Sequence, residues 1–162
     1  GGNVGFPSGG QTTFIKIQET KELIKMGVDE IDMVIDVAAL ISERIDDVYR
    51  DIAAVVEASD GHPVKTILEC HYLSDSQIIL GCDQAMRAGA SFVKTGTGWA
   101  PTGATIENIT LIKKHVGDAI RIKASGGIRD LDMINHLSEI GVSRFGISAK
   151  SVKKIFSEGK QS

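Results

Sequence analysis

The chain has 162 residues, of which 42% are hydrophobic and 24% charged, enough for one soluble globular domain over residues 1–162 and too apolar for disorder. A net charge of −3 and a pI near 5.8 exclude the basic excess of a general nucleic-acid or membrane-surface binder, so an anionic ligand would need locally gathered positive charge. No apolar run reaches the roughly 18 residues of a membrane span, and Gly1-Gly2-Asn3-Val4 lacks the parts of a signal peptide; two cysteines, Cys70 and Cys82, fit reduced thiols in a cytoplasmic protein, and no paired Cys/His spacing supports a zinc site.

In chain order, short β-branched runs alternate with amphipathic stretches. Strands are predicted at residues 2–6, 30–36, 64–70, 91–95, 120–125 and 143–147. The first intervening helix carries Phe14, Ile17 and Ile24, and the second Ile45, Val48, Ile52 and Val55, at spacings that predict one face of each packed on a sheet. Ser74-Asp75-Ser76-Gln77 has the form of a capping box. Thr105 can cap the helix holding Ile109 and Ile112, and Asp130 the helix holding Ile134 and Leu137. Gly27, Gly61, Gly89, Gly117 and Gly141 recur at intervals of 34, 28, 28 and 24 residues, the length of a strand-helix unit. Six βα units without a composition break predict an α/β fold, either a (β/α)8 TIM barrel or a doubly wound parallel sheet.

The fourth strand ends in Lys94 and breaks at once into Thr95-Gly96-Thr97-Gly98; the fifth repeats the plan, with Lys123 followed by Ala124-Ser125-Gly126-Gly127. C-terminal strand ends are where barrels and open α/β sheets keep reacting groups. Alternation puts Glu30, Asp32 and Val34 on one strand face, then Lys65, Ile67 and Glu69, then Phe92 and Lys94, then Arg121 and Lys123. Turned inward, these groups would share a lumen and offset one another's desolvation; turned outward, they would lie under helices, and periodicity alone leaves both faces open. Gly126-Gly127 and Gly146-Ile147-Ser148-Ala149 each lead into a helix and can present backbone N–H groups to an anion, or serve only as tight turns.

Four segments, Gly5-Phe6-Pro7-Ser8-Gly9, Asp29-Glu30-Ile31-Asp32-Met33-Val34-Ile35, Phe92-Val93-Lys94-Thr95-Gly96-Thr97-Gly98 and Lys123-Ala124-Ser125-Gly126-Gly127-Ile128-Arg129, occur in an order and spacing that resembles the deoxyribose-phosphate aldolases. The resemblance covers nearly the whole chain. It implies a (β/α)8 barrel and a class I aldolase that joins acetaldehyde reversibly to glyceraldehyde 3-phosphate, giving 2-deoxyribose 5-phosphate without a cofactor. By resemblance Lys94 is the Schiff-base lysine, Lys123 the cation beside it and Asp32 a proton-relay carboxylate. Thr95, Gly98, Gly126, Gly127, Gly146 and Ser148 are expected around substrate and phosphate, with Lys65 and Glu69 as supports. Small phosphorylated sugars and aldehydes are the expected ligands, in a homo-oligomer. A related class I aldolase with another aldehyde pair, or a non-catalytic phosphosugar-binding subunit, are the alternatives.

The roles have a physical basis. An amine attacks a carbonyl only when unprotonated, and a second ammonium about 5 Å away contributes roughly 3 kcal/mol of repulsion at an effective dielectric near 20. Burial acts in the same direction. The chain departs from the resemblance at Gly96, where the family usually has serine, and at Trp99, where some relatives have a basic residue. His71 is either a proton shuttle or a hydrogen-bonded structural histidine. Six units averaging 27 residues also lead to the expectation that about 54 further residues, two more units, close the barrel before Gly1.

Overall fold

The computed structural model describes residues 1–158. Six parallel strands, β1 (Gly2–Val4), β2 (Ile31–Val34), β3 (Val64–Ile67), β4 (Phe92–Lys94), β5 (Arg121–Ser125) and β6 (Arg144–Gly146), pair strictly in chain order. Helices α1 (Thr13–Lys25), α2 (Val37–Ile41), α3 (Ile45–Ala58), α4 (Asp75–Arg87), α5 (Ile106–Val116), α6 (Leu131–Ile140) and α7 (Ala149–Glu158) complete the βα units. A doubly wound sheet would reverse its strand order at a switch point. This sheet does not, and it curls far enough for Arg144 on β6 to pair with Glu30 at the foot of β2. The barrel-type reading holds, with six of its units among the described residues.

The caps behave as their residue types predict. Ser74 and Gln77 form the reciprocal capping box of α4, Thr105 accepts from Asn108 N at the start of α5, and Asp130 accepts from Met133 N at the start of α6. Val48, Ile52 and Val55 of α3 are buried as expected. Strands are shorter than predicted, for local reasons. Gly5 turns to positive φ after β1, Asp36 leaves β2 to cap α2 through Ala39 N at 2.8 Å, and Glu69 adopts a left-handed conformation that stops the third strand and starts the single turn Cys70–Tyr72.

Helix α1 corrects the expected stripe. Phe14 is 66% exposed, while Lys16 and Thr20 are buried. Asp51 of α3 decides the rotation: it takes Lys16 Nζ at 2.5 Å and Thr13 Oγ1 at 2.8 Å, and Lys16 Nζ also donates to Val34 O at 3.0 Å. A fully buried ammonium needs these partners more than Phe14 needs burial, because an unpaired buried charge costs more than an exposed ring forgoes. Cys70 and Cys82 are free and buried; burial raises both thiols, Cys82 to about 12, which keeps them protonated. Among the described residues no helix is long and apolar enough to cross a membrane.

Candidate active site

The strand register builds the site directly. Asp32 lies beside Lys65, Lys65 beside Phe92, Phe92 beside Arg121, and Lys94 beside Lys123. One face of four consecutive strands therefore carries all the charge, and the contacts place that face on the inside of the curl. At the lower level the Phe92 ring is a platform for cations, with the guanidinium of Arg121 at 4.0 Å and that of Arg144 at 5.4 Å from its centroid. Attraction to the ring face offsets part of their desolvation. Arg144 and Lys65 meet there on Glu30. Arg144 escaped the sequence reading because a single arginine on a short last strand carries no periodic signal.

At the upper level Asp32 is the hub. Its Oδ2 accepts from Lys94 Nζ at 2.6 Å and from Lys123 Nζ at 2.6 Å, and its Oδ1 lies 2.9 Å from Lys65 Nζ. Lys65, wholly buried, is also 2.9 Å from Glu30 Oε1. Its two contacts are close ion pairs that lack hydrogen-bond directionality. Burial works to raise the Asp32 carboxyl, but the charge of Lys94, the hydrogen bonds from Lys123 and Lys94, and the close contact with Lys65 outweigh it and hold the group well below the usual carboxylate range. For Lys94 burial is the largest influence and lowers the ammonium below its ordinary 10.5; Asp32 opposes that shift, and Lys123 and Lys65 add to it. From the sequence alone, the Lys94–Lys123 repulsion is the larger expected influence. In the structure desolvation leads, because Lys94 is 6% exposed.

Lys123→Met should therefore raise the pKa of Lys94 and move the acid limb of any Lys94-dependent rate to higher pH. It removes a lowering charge and leaves Asp32 more fully to Lys94. A pH–rate profile checks this, and an unmoved acid limb would leave Lys123 without an electrostatic role.

Beyond the lysines, Gly98, Gly126, Gly127, Gly146 and Ser148 line one cavity of about 500 Å³, joined by Trp99 and Arg129. Gly126 has φ +85° and a Cβ there would meet Gly103 Cα at 3.1 Å, so the β4 loop lies backbone to backbone on the β5 exit. Arg129 stood in a recognised motif, but nothing in its sequence position marked it as facing a cavity. Thr95 does not line this cavity. Predicted at the substrate, it is a strut: its hydroxyl donates to Ser125 O at 2.8 Å and accepts from Ser125 N at 3.0 Å, which locks β4 to β5. Ser148 accepts from Ser151 N at 3.2 Å at the start of α7.

Glu69 does not continue the inner row of β3. From its left-handed turn, 4% exposed, it binds Thr97 on the β4 loop through both the amide and the hydroxyl. A left-handed glutamate is uncommon and costs conformational energy that these bonds offset. A Cβ at Gly96 would stand 3.0 Å from Glu69 Oε1 and 3.2 Å from Ser125 O, so the glycine fits a closely packed loop rather than a loose one. His71 binds Thr102 Oγ1 through Nδ1 at 2.7 Å, the hydrogen-bonded structural reading, and connects the β3 and β4 loops.

Comparison with known proteins bears on the family and the fold. The DeoC/LacD family aldolase profile matches residues 3–143. The chain is 47% identical over 161 residues to a deoxyribose-phosphate aldolase of Klebsiella pneumoniae, covering 99% of this chain and 65% of that one. It is 48% identical over 146 residues to one from Staphylococcus epidermidis, covering 90% and 66%. The chain thus spans just under two thirds of the length of these relatives. Among solved structures it is similar to QR15, an aldolase, with TM-score 0.91 and 35% identity over 98% of this chain and 71% of that one. It is also similar to the tetrameric deoxyribose phosphate aldolase of Aeropyrum pernix, with TM-score 0.87 and 28% identity over 99% and 68%.

Proposed function

The chain belongs to the DeoC/LacD aldolase family, and from that premise we propose that it is built for reversible cleavage of 2-deoxyribose 5-phosphate to glyceraldehyde 3-phosphate and acetaldehyde through a Lys94 imine. The observation that carries this reading is the shared oxygen of Asp32, on which the ammonium groups of Lys94 and Lys123 converge at 2.6 Å inside the curl. It is an arrangement for releasing a proton from a buried lysine and managing it nearby.

In the cleavage direction the neutral amine of Lys94 adds to the sugar carbonyl and water leaves, giving an iminium. A base takes the proton of the hydroxyl beside the scissile bond, the carbon–carbon bond breaks, and its electron pair enters the iminium as an enamine. Protonation of the enamine carbon and addition of water release acetaldehyde and restore the amine. Asp32, ionised and within 2.6 Å of both lysines, suits a relay: its low pKa prevents it from retaining the protons that it passes between lysine and water. Lys123, held on the same oxygen, keeps positive charge opposite the reacting nitrogen.

The phosphate end goes to the glycine cavity, where turns after β5 and β6 offer backbone donors and Arg129 offers a guanidinium. Inorganic phosphate should compete with phosphorylated substrate. Arg129→Ala should raise KM for 2-deoxyribose 5-phosphate about ten- to a hundredfold, the worth of a charged hydrogen bond, with kcat little changed. Steady-state kinetics of the wild type with added phosphate and of Arg129→Ala decide it, and a KM unchanged in both would remove the phosphate from this cavity. A cytoplasmic setting and a homo-oligomer fit this reading, the second supported by the tetrameric Aeropyrum pernix relative. Retro-aldol activity on 2-deoxyribose 5-phosphate is the direct test of the whole assignment.

A further inference from the structure

No step of the proposed reaction falls to the indole of Trp99, yet it stands 76% exposed and borders two cavities. So open an indole forgoes the burial that usually stabilises a ring of its size. Its root is nevertheless fixed, because Trp99 N donates to Thr97 Oγ1 at 3.0 Å and Thr97 is bound in turn by the buried Glu69. Phe6 meets the indole edge to face at a centroid distance of 6.0 Å, which ties the β4 loop to the β1 loop. One of the two cavities is the glycine cavity. The other, of about 320 Å³, is walled by Pro7, Val37, Tyr72, Ala100 and the indole, with Ser8 and Glu69 as its polar members.

The two cavities differ in what they reject. Arg129 and the glycine amides suit an anion. Glu69 repels one, and its oxygens are already engaged by Thr97, so the second cavity offers apolar wall with little left to recognise a charged or strongly polar end. We propose that this second cavity is a subsite for the alkyl or aryl end of an aldehyde, and that Trp99 determines its specificity. The substrate class rests on the lysine-imine reading; the occupancy by an apolar group does not.

Trp99 is the single tryptophan of the chain, so its emission reports the site without any reaction. Hexan-1-ol should shift the emission of the wild-type protein to the blue and lower its quenching by acrylamide. Tyr72→Ala, a change at a side chain 57% exposed, should weaken both effects, and inorganic phosphate should leave them in place. In turnover with acetaldehyde as the enamine component, the preference in kcat/KM for hexanal over propanal as acceptor should fall about tenfold in Trp99→Ala, the scale of a hydrophobic-pocket contact, and recover in Trp99→Phe. Emission and quenching that ignore hexan-1-ol, or a preference in Trp99→Ala equal to the wild type's, overturn the proposal. If no acceptor turns over at all, the imine reading fails by itself and the two emission measurements decide the subsite.

Discussion

Lys94→Ala should abolish aldol turnover, with a fall in kcat on the order of 10⁶-fold, the scale on which loss of a covalent nucleophile acts. The wild-type protein, reduced with borohydride in the presence of acetaldehyde, should carry an N-ethyl group on Lys94, and the variant should carry none there. The expectation rests on burial more than on identity. Most other lysines stand in solvent and buried Lys16 is tied to Asp51 outside the site, whereas Lys94 is 6% exposed and lowered below 10.5, so a larger share of it is the attacking amine at neutral pH. Lys65 is fully buried too, but it is held between Glu30 and Asp32 one level deeper. The fold should survive the substitution, because Asp32 keeps Lys123 and Lys65 as partners. Peptide mass analysis of the trapped protein locates the label, and an N-ethyl group on Lys123 with Lys94 unmodified would exchange the two roles.

How far the sequence reaches depends on the period of each element. The upper row of the site was legible because alternation in a strand is rigid: once Lys94 faces inward, so must Phe92, and the register carries Asp32, Lys65 and Lys123 to the same side. What alternation left open was which side, and the closed contacts among Glu30, Asp32, Lys65 and Arg144 answer it. That Gly98, Gly126, Gly127 and Gly146 share one cavity was legible for a similar reason, since strand exits in a parallel barrel all open toward one end. Failures came where a side chain overruled the local period. Asp51, thirty-five residues after Lys16, rotates α1 and leaves Phe14 in solvent. Glu69 leaves the strand because Thr97, from the next unit, binds it in a conformation no propensity favours for glutamate. The strut formed by Thr95 was not foreseen, because its hydroxyl serves the neighbouring strand. Each of these is a long-range polar contact, and such contacts leave no mark within the window in which periodicity is read.

Asp32→Leu should be the most destabilising single change in the site, costing about 3–5 kcal/mol at neutral pH. That is the range for removing one partner of a buried charge pair, out of a total stability that for a domain is on the order of 5–15 kcal/mol. Three ammonium groups depend on this carboxylate; Lys65 retains Glu30, but Lys94 and Lys123 have no other carboxylate within ion-pair reach among the described residues. Acidity supplies an independent check on the cause. The folded-state pKa of Asp32 lies below its ordinary value near 3.8, so its contribution is fully present above that value and is lost as pH falls through the lower folded one. Leucine has no such group to protonate. The stability gap between wild type and variant, measured by denaturant unfolding across pH, should therefore stay constant from neutrality down to about pH 5 and narrow below about pH 4. Removing the carboxylate also removes the influence that raises Lys94, so any residual imine formation should move to lower pH, opposite to the shift expected for Lys123→Met. A gap that is small at neutral pH, or that persists unchanged at low pH, would mean that packing around Asp32 and not its charge holds the three lysines in place.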